Sequence, residues 1–199
     1  MKRILAATGN RHKLEEMRQI LKPCGVEVLG AGDPGVPALP DVTEDGATFE
    51  ANAVKKAVEV AAATGFCTLA DDSGLEVVAL HGAPGVLSAR YAGEPGNDRQ
   101  NVIKLLHALQ GIFDRRAQFT CVIALATPAG LIGTARGEVR GRIIFEPRGT
   151  SGFGYDPVFV PDGQHRTFAE LPGAVKNSMS HRGRALEATV GSGLFDKLT

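Results

Sequence analysis

"RILAATGNRHKLEEMRQIL", residues 3–21, decides the class of fold. Arg3-Ile4-Leu5-Ala6-Ala7 reads as a short buried strand, and from Leu14 the apolar residues Leu14, Met17, Ile20 and Leu21 recur at the spacing of one helical face. A strand that feeds an amphipathic helix through a tight turn opens an α/β layer architecture. The turn carries Thr8, Gly9, Asn10, Arg11, His12 and Lys13, where an ordinary polar linker would have sufficed. Backbone N–H groups at a helix N-terminus hold partial positive charge and can grip a phosphate, with Lys13 adding a full charge. A capped helix start with a solvated lysine would give the same six letters.

Strand and helix signals continue to alternate. Gly25 closes the first helix and Val26 to Leu29 follows as a strand. The Pro- and Gly-rich segment from Gly30 to Ala47 is too long for a plain connector, and loops of that length often carry function. Thr48 is placed to cap a helix through "FEANAVKKAVEVAAAT" up to Gly65. Cys67 to Ala70 and Leu75 to Leu80 read as two short strands. Asp98 opens a helix with Val102, Leu105, Leu106 and Leu109 on one face. Phe119 to Ala126 and Leu131 to Val139 pair across Pro128-Ala129-Gly130, and "SHRGRALEATV" forms a last short helix. No repeat, low-complexity tract or linker divides the chain, so residues 1–199 are expected to form one domain.

The totals exclude several classes of function. With 199 residues, 43% of them hydrophobic, the chain can bury a sizeable core. Twenty-two basic residues balance twenty-two acidic ones, which argues against a general nucleic-acid clamp or a binder of anionic membranes. Any anion site must be local. Cys24, Cys67 and Cys121 lack metal-ligand spacing and sit beside apolar residues, as reduced core cysteines of a cytoplasmic protein do. The N-terminus lacks the apolar stretch of a signal peptide, and no apolar run reaches the ~18 residues of a membrane span.

Four stretches carry chemistry. In "TLADDSGLEV", residues 68–77, two carboxylates end a buried strand; alternation sends Asp71 and Asp72 to opposite faces, so one of them can aim into a given site. A carboxylate there suits Mg²⁺, although an Asx-type turn is the structural alternative. Glu44 is a plausible second oxygen donor. In "GTSGFGYDPVF", residues 149–159, glycines allow close backbone approach, and Phe153 or Tyr155 offers a flat face on which a nucleobase can stack; Asp156 can fix the turn or read a base edge. "KNSMSHRGRAL", residues 176–186, gathers Lys176, His181 and Arg182 near a helix start, where cations are electrostatically misplaced unless an anion joins them. "GAPGVLSARYAG", residues 82–93, suits a site wall or a subunit contact equally well.

These stretches, with "TGNRHKLEE" and "TFEANAVKKA" and in this order over nearly the whole chain, resemble the noncanonical purine NTP pyrophosphatases, the family of the inosine and xanthosine triphosphate pyrophosphatases. The resemblance implies an elongated mixed α/β fold, its twisted sheet flanked by helices and its two lobes bordering a central cleft. It implies a homodimer that hydrolyses dITP, ITP or XTP to the monophosphate and pyrophosphate with Mg²⁺; the charge balance and the N-terminus add the expectation of a cytoplasmic protein with no nucleic-acid or membrane partner. Carried over residue by residue, Thr8, Gly9, Asn10 and Lys13 form the phosphate-side loop, with Arg11 and His12 between them. Asp72 becomes the catalytic carboxylate and metal ligand, Glu44 the second metal ligand and Ser73 a substrate contact. Phe153, Gly154, Tyr155 and Asp156 form the nucleoside-binding turn, and Lys176, His181 and Arg182 approach the purine. Two positions depart from the family pattern. Ala51-Asn52-Ala53 replaces Glu-Asn-Ala, and Thr43-Glu44-Asp45-Gly46 replaces a Glu-Glu-Thr-Gly run, which leaves Asp45 and Asp41 as rivals of Glu44. A purine-nucleotide-binding regulator without turnover is the alternative function.

Overall fold

The computed structural model describes residues 2–198. Its strands are β1 (Lys2–Ala6), β2 (Val26–Leu29), β3 (Thr68–Val77), β4 (Arg116–Thr127), β5 (Gly130–Ile143) and β6 (Phe159–Pro161). They form one mixed sheet in the order β2-β1-β3-β4-β5-β6. Its helices are α1 (Arg11–Leu21), α2 (Phe49–Thr64), α3 (Asp98–Ala108), α4 (Gly173–Met179) and α5 (His181–Gly191). The chain clusters into two compact units. The first runs up to Asp72 and takes in Cys121–Gly137 and the described residues from Arg182 onward; the second comprises Ser73–Thr120 and Glu138–His181.

In the first unit β1 pairs in parallel with β2, Lys2 opposite Val26 through Leu5 opposite Leu29, and with β3 at Leu5–Thr68 and Ala6–Leu69. The helix predicted from residues 3–21 begins three residues early, at Arg11, because the Asn10 side chain caps it by accepting from the amides of His12 and Lys13. Its Met17 and Leu21 join Ile4, Leu69, Ile123, Leu125 and Leu186 in one core. Each such side chain, fully buried, stabilises the fold by about 1.5–3 kcal/mol. Thr48 caps α2 as expected, accepting from Ala51 N at 3.1 Å, and Gly65 ends it at φ 75°, a left-handed conformation that costs glycine little.

In the second unit Phe119, Phe159 and Phe168 pack with Leu75, Leu105 and Val158. Phe119 and Phe159 meet edge to face with ring centroids 4.8 Å apart. Asn97 caps α3 by accepting from Gln100 N at 3.0 Å. β5 and β6 pair antiparallel, from Gly141–Pro161 to Ile143–Phe159.

Three expectations need correction. The two strands read on either side of Asp71-Asp72-Ser73-Gly74 are one strand, β3, and Val78–Leu80 is a 3-10 turn. The paired aspartates do not break it because each carboxylate meets a polar partner, which offsets the cost of carrying charge through a buried strand, more fully at Asp71 than at Asp72. Lys176 lies within α4 and not at a helix start. Cys24 is exposed, while Cys67 is half-buried and Cys121 is buried; all three are free thiols. Among the described residues no helix is long and apolar enough to cross a membrane.

Candidate active site

The turn between β1 and α1 is tied up internally. Asn10 Oδ1 accepts from His12 N at 2.9 Å and Lys13 N at 3.2 Å, while Asn10 N donates to Thr8 Oγ1 at 3.1 Å and Thr8 N to Ala6 O at 2.9 Å. The cradle of outward-pointing amides expected here is therefore reduced at these four positions, since capping satisfies the same donors that would have met a phosphate. Gly9, Arg11 and His12 are exposed, and a Cβ at Gly9 would meet nothing within 4 Å, so the turn offers open space beside Lys13.

Lys13 reaches across to β3, where its Nζ lies 3.0 Å from Asp71 Oδ2. The same oxygen accepts from Arg182 Nη2 at 2.9 Å and Nε at 3.3 Å, and Arg182 Nη1 reaches Glu16 at 2.5 Å. Burial pushes the Asp71 carboxyl up, but the charges of Lys13, Arg182 and Lys56 outweigh it and hold the group well below the usual carboxylate range. Arg182 is itself buried, and its proton affinity is raised by Asp71 and Glu16 against the desolvation that would lower it.

Asp72 has different surroundings, as strand alternation requires. Its Oδ2 accepts from Asn52 Nδ2 at 2.9 Å. Burial is the largest influence and raises its proton affinity; the Asn52 hydrogen bond lowers it, the charge of Glu44 raises it, and the net shift is upward. Two neighbouring carboxylates thus differ in opposite directions, Asp71 held ionised by cations and Asp72 made basic by burial and by Glu44.

Glu44 is held by α2. Its carboxylate pairs with Lys56 Nζ, Asp45 pairs with Lys55 at 2.7 Å, and Gly46 N donates to Asn52 Oδ1 at 2.7 Å. Lys56 is mostly buried; desolvation lowers its proton affinity, and Asp71, Glu44 and Asp72 together raise it past the ordinary lysine value. Of the three rival loop acids, Glu44 is the one whose charge acts on Asp72. Glu44 and Asp72 are hard oxygen donors whose mutual repulsion a dication would relieve, so the pair fits Mg²⁺. Among the described residues no group of three or more His, Cys, Asp and Glu is arranged to hold a metal.

The second unit assembles the remaining candidates. Asp156 Oδ2 accepts from Phe153 N at 3.0 Å and from Lys176 Nζ at 2.6 Å, with the Lys176 ammonium 4.7 Å from the Phe153 ring centroid. Gly154, at φ 60°, donates its amide to Asp98 at 2.7 Å, and the buried Tyr155 hydroxyl donates to Ser88 O at 2.9 Å. Burial pushes the Tyr155 phenol up, so it stays a neutral donor. His181 stacks on Phe119 with centroids 4.7 Å apart and planes 10° from parallel. Ser73 is half-buried in β3.

The structure thus brings Lys13, Glu44, Asp72 and Arg182 together in the first unit, and Phe153, Gly154, Tyr155, Asp156, Lys176 and His181 in the second. Arg182, grouped with the purine-side residues by resemblance, has its guanidinium on Asp71 and Glu16. Sequence reasoning passed over Glu16, Asn52, Lys56 and Asp71 as site residues. Asn52 and Lys56 were detectable in principle, because a buried Asn one helical turn from a Lys puts two polar groups on the core-facing side of α2.

The model of the Ham1 family matches residues 4–191. The dITP/XTP pyrophosphatase of Desulforamulus reducens is 51% identical over 187 residues, which cover 93% of this chain and 92% of that protein. That of Geobacter sulfurreducens is 50% identical over 188 residues, 94% of each. Among solved structures, a HAM1 protein from Coxiella burnetii aligns with a TM-score of 0.85 at 41% identity, over 98% of this chain and 100% of that one.

Proposed function

Because the chain belongs to the Ham1 family, we propose that it hydrolyses noncanonical purine nucleoside triphosphates, dITP, ITP and XTP, to the monophosphate and pyrophosphate with Mg²⁺. The observation that carries the reading is the contrast in the partners of Asp71 and Asp72: one carboxylate oxygen is shared by Lys13 at 3.0 Å and Arg182 at 2.9 Å, while the other aspartate accepts from the neutral Asn52 at 2.9 Å beside a second acid, Glu44. Asp71 holds Lys13 and Arg182 in place, and Asp72, bonded by a neutral amide, is offered to a metal ion and the attacking water.

In the reaction, water adds to the α-phosphorus, the bond from that phosphorus to the bridging oxygen breaks, and pyrophosphate leaves. Asp72 accepts the proton that the attacking water gives up. Lys13 and Lys56 offset negative charge as it gathers on the departing pyrophosphate. Thr8, Gly9 and Asn10, with Arg11 and His12, shape the turn beside those phosphates, and Ser73 contacts the substrate. Glu44 and Asp72 would hold Mg²⁺, which when bound polarises phosphoryl oxygens as a Lewis acid. Phe153 flanks the nucleoside, Gly154 lets the turn approach it while the buried Tyr155 anchors that turn from behind, and Lys176 and His181 donate to the 6-oxo group that distinguishes hypoxanthine and xanthine from adenine, with Asp156 holding Lys176 in place. A site built around such a bond rejects analogues that cannot make it. Arg182 serves this reading through Asp71, as a positioning residue. We further propose that residues 1–199 act as one catalytic domain in a cytoplasmic homodimer.

The deciding experiment incubates the purified chain with ITP and Mg²⁺ and resolves the products. IMP with pyrophosphate is expected. IDP with phosphate would identify another phosphatase, and binding without turnover would identify a silent regulator.

A further inference from the structure

Helix α2 runs back along the acidic loop and holds three consecutive loop residues with three of its own side chains. Lys56 meets Glu44, Lys55 meets Asp45 at 2.7 Å, and Asn52 meets Gly46. Positions 52, 55 and 56 share one helical face, so the loop is strapped to it in reverse order. Lys55 and Asp45 lie at the solvent side of this strap, where a pair contributes little. Asn52 is different. It is 1% exposed, and its amide is engaged on both ends: Oδ1 accepts from Gly46 N at 2.7 Å, while Nδ2 faces Gly46 O at 3.4 Å and donates to Asp72 Oδ2 at 2.9 Å.

We propose that Asn52 is a positioning residue that fixes the Glu44 loop and the Asp72 carboxylate to one amide, presenting the two acids as a preassembled pair for a divalent cation. Neither acid could supply this itself, because like charges separate when nothing holds them. An amide is the right group: it bonds the loop backbone and a carboxylate at once and adds no charge of its own. A buried Asn with one end unsatisfied would be costly, so the amide's two ends fix each other. The loop residue it grips is a glycine for a reason visible in the packing, since a Cβ at Gly46 would lie 2.6 Å from Asn52 Oδ1 and 2.9 Å from Ala51 Cβ. The pairing therefore makes two residues, neither of them an acid, responsible for the geometry of the acid pair.

The inference rests on the proposed assignment of Glu44 and Asp72, and the test separates the two. Mn²⁺ binding to the nucleotide-free full chain is followed by the loss of free-ion EPR signal, and steady-state ITP hydrolysis is followed in parallel across Mg²⁺ concentrations. Removal of a group that orients metal ligands typically costs about 10–100-fold in metal affinity or activity. Asn52→Ala and Gly46→Ala are both expected to weaken Mn²⁺ binding at least about 10-fold and to raise the Mg²⁺ needed for half-maximal rate by a similar factor. KM for ITP at saturating Mg²⁺ should change less than about 2-fold, a split that general loss of structure does not produce. Gly46→Ala keeps the test alive should Asn52→Ala fold poorly, and thermal melts report folding in each case. Asp72→Asn serves as the control. If it retains turnover and Mn²⁺ binding, the site assignment itself is wrong. If it loses both while Asn52→Ala and Gly46→Ala bind Mn²⁺ as the parent does, the assignment stands and the role given to Asn52 is overturned.

Discussion

Replacing Asp71 and Asp72 by asparagine, one at a time, should move stability in opposite directions. Asp71→Asn keeps the side chain's size and removes its charge, leaving Lys13 and the buried Arg182 without the oxygen they share at 3.0 and 2.9 Å. Breaking a buried ion pair by removing one partner costs about 3–5 kcal/mol. For a chain of this length each kcal/mol is worth about 2–4 °C in Tm, so the loss should be about 6–20 °C. Asp72→Asn removes a carboxylate that burial and Glu44 disfavour, while an asparagine can still accept from Asn52. That variant should melt higher than the parent at pH 7 while losing turnover.

The pH dependence follows from the same shifts. Asp71 titrates below its unfolded value near 3.9, so its contribution is complete above that pH and is lost only as the pH falls through the lower folded value. Urea melts should show the Asp71→Asn deficit undiminished from pH 7 to about pH 4.5 and shrinking in stronger acid. Asp72 titrates above its unfolded value, so its ionised form costs stability at neutral pH, and the gain in Asp72→Asn should fade as the pH falls through that raised value and be gone below about 4. Shifts of the same sign for the two variants, or an Asp71→Asn deficit under about 1 kcal/mol at pH 7, would refute the electrostatic assignment of β3.

Lys56→Met should lower kcat for ITP by about 100-fold at saturating Mg²⁺, as loss of a preorganised charge does; a parental kcat would remove Lys56 from the phosphate side. Lys176→Met, which strips Asp156 of its 2.6 Å partner, should compress the ratio of kcat/KM between ITP and ATP by about 10-fold or more, and an unchanged ratio would remove Lys176 from base reading. Burial pushes the Cys121 thiol up to about 12, so at pH 8 only about one molecule in 10⁴ carries its thiolate. A thiol-reactive dye should therefore label the exposed Cys24 in the folded protein and reach Cys121 only after unfolding.

Local periodicity made much of the fold legible. The strand, turn and helix of residues 3–21, the Thr48 cap and the helix after Asp98 follow from apolar spacing and from side chains that satisfy nearby amides. What failed was local reasoning about charge. Asp71-Asp72-Ser73-Gly74 reads as a strand end because adjacent carboxylates do not belong in a core, yet β3 passes straight through them. The cations that make this tolerable come from α1, α2 and α5, at positions 13, 56 and 182, and no window of sequence contains them together. For the same reason Lys13 and Arg182 could be recognised as site residues but not paired with Asp71. Asn52 matched the family pattern beside the departure at Ala51 but drew no role, because its partners are six residues before it and twenty after.

The electrostatics of the first unit bear on how a polyanion is received. Among the described residues, Lys13, Lys56 and Arg182 stand against Glu16, Glu44, Asp71 and Asp72, three cations against four carboxylates, and the pairs within that set are close. A cluster so balanced has no surplus positive charge to offer a triphosphate. Lys56 can turn to phosphate oxygens only if Glu44, the acid it leaves behind, is otherwise neutralised, whereas Lys13 leaves an Asp71 that still holds Arg182. A dication on Glu44 and Asp72 would release Lys56 from Glu44 without stranding a buried charge. Under the proposed assignment, an ion bound by the two acids would thus also free Lys56 for the phosphates.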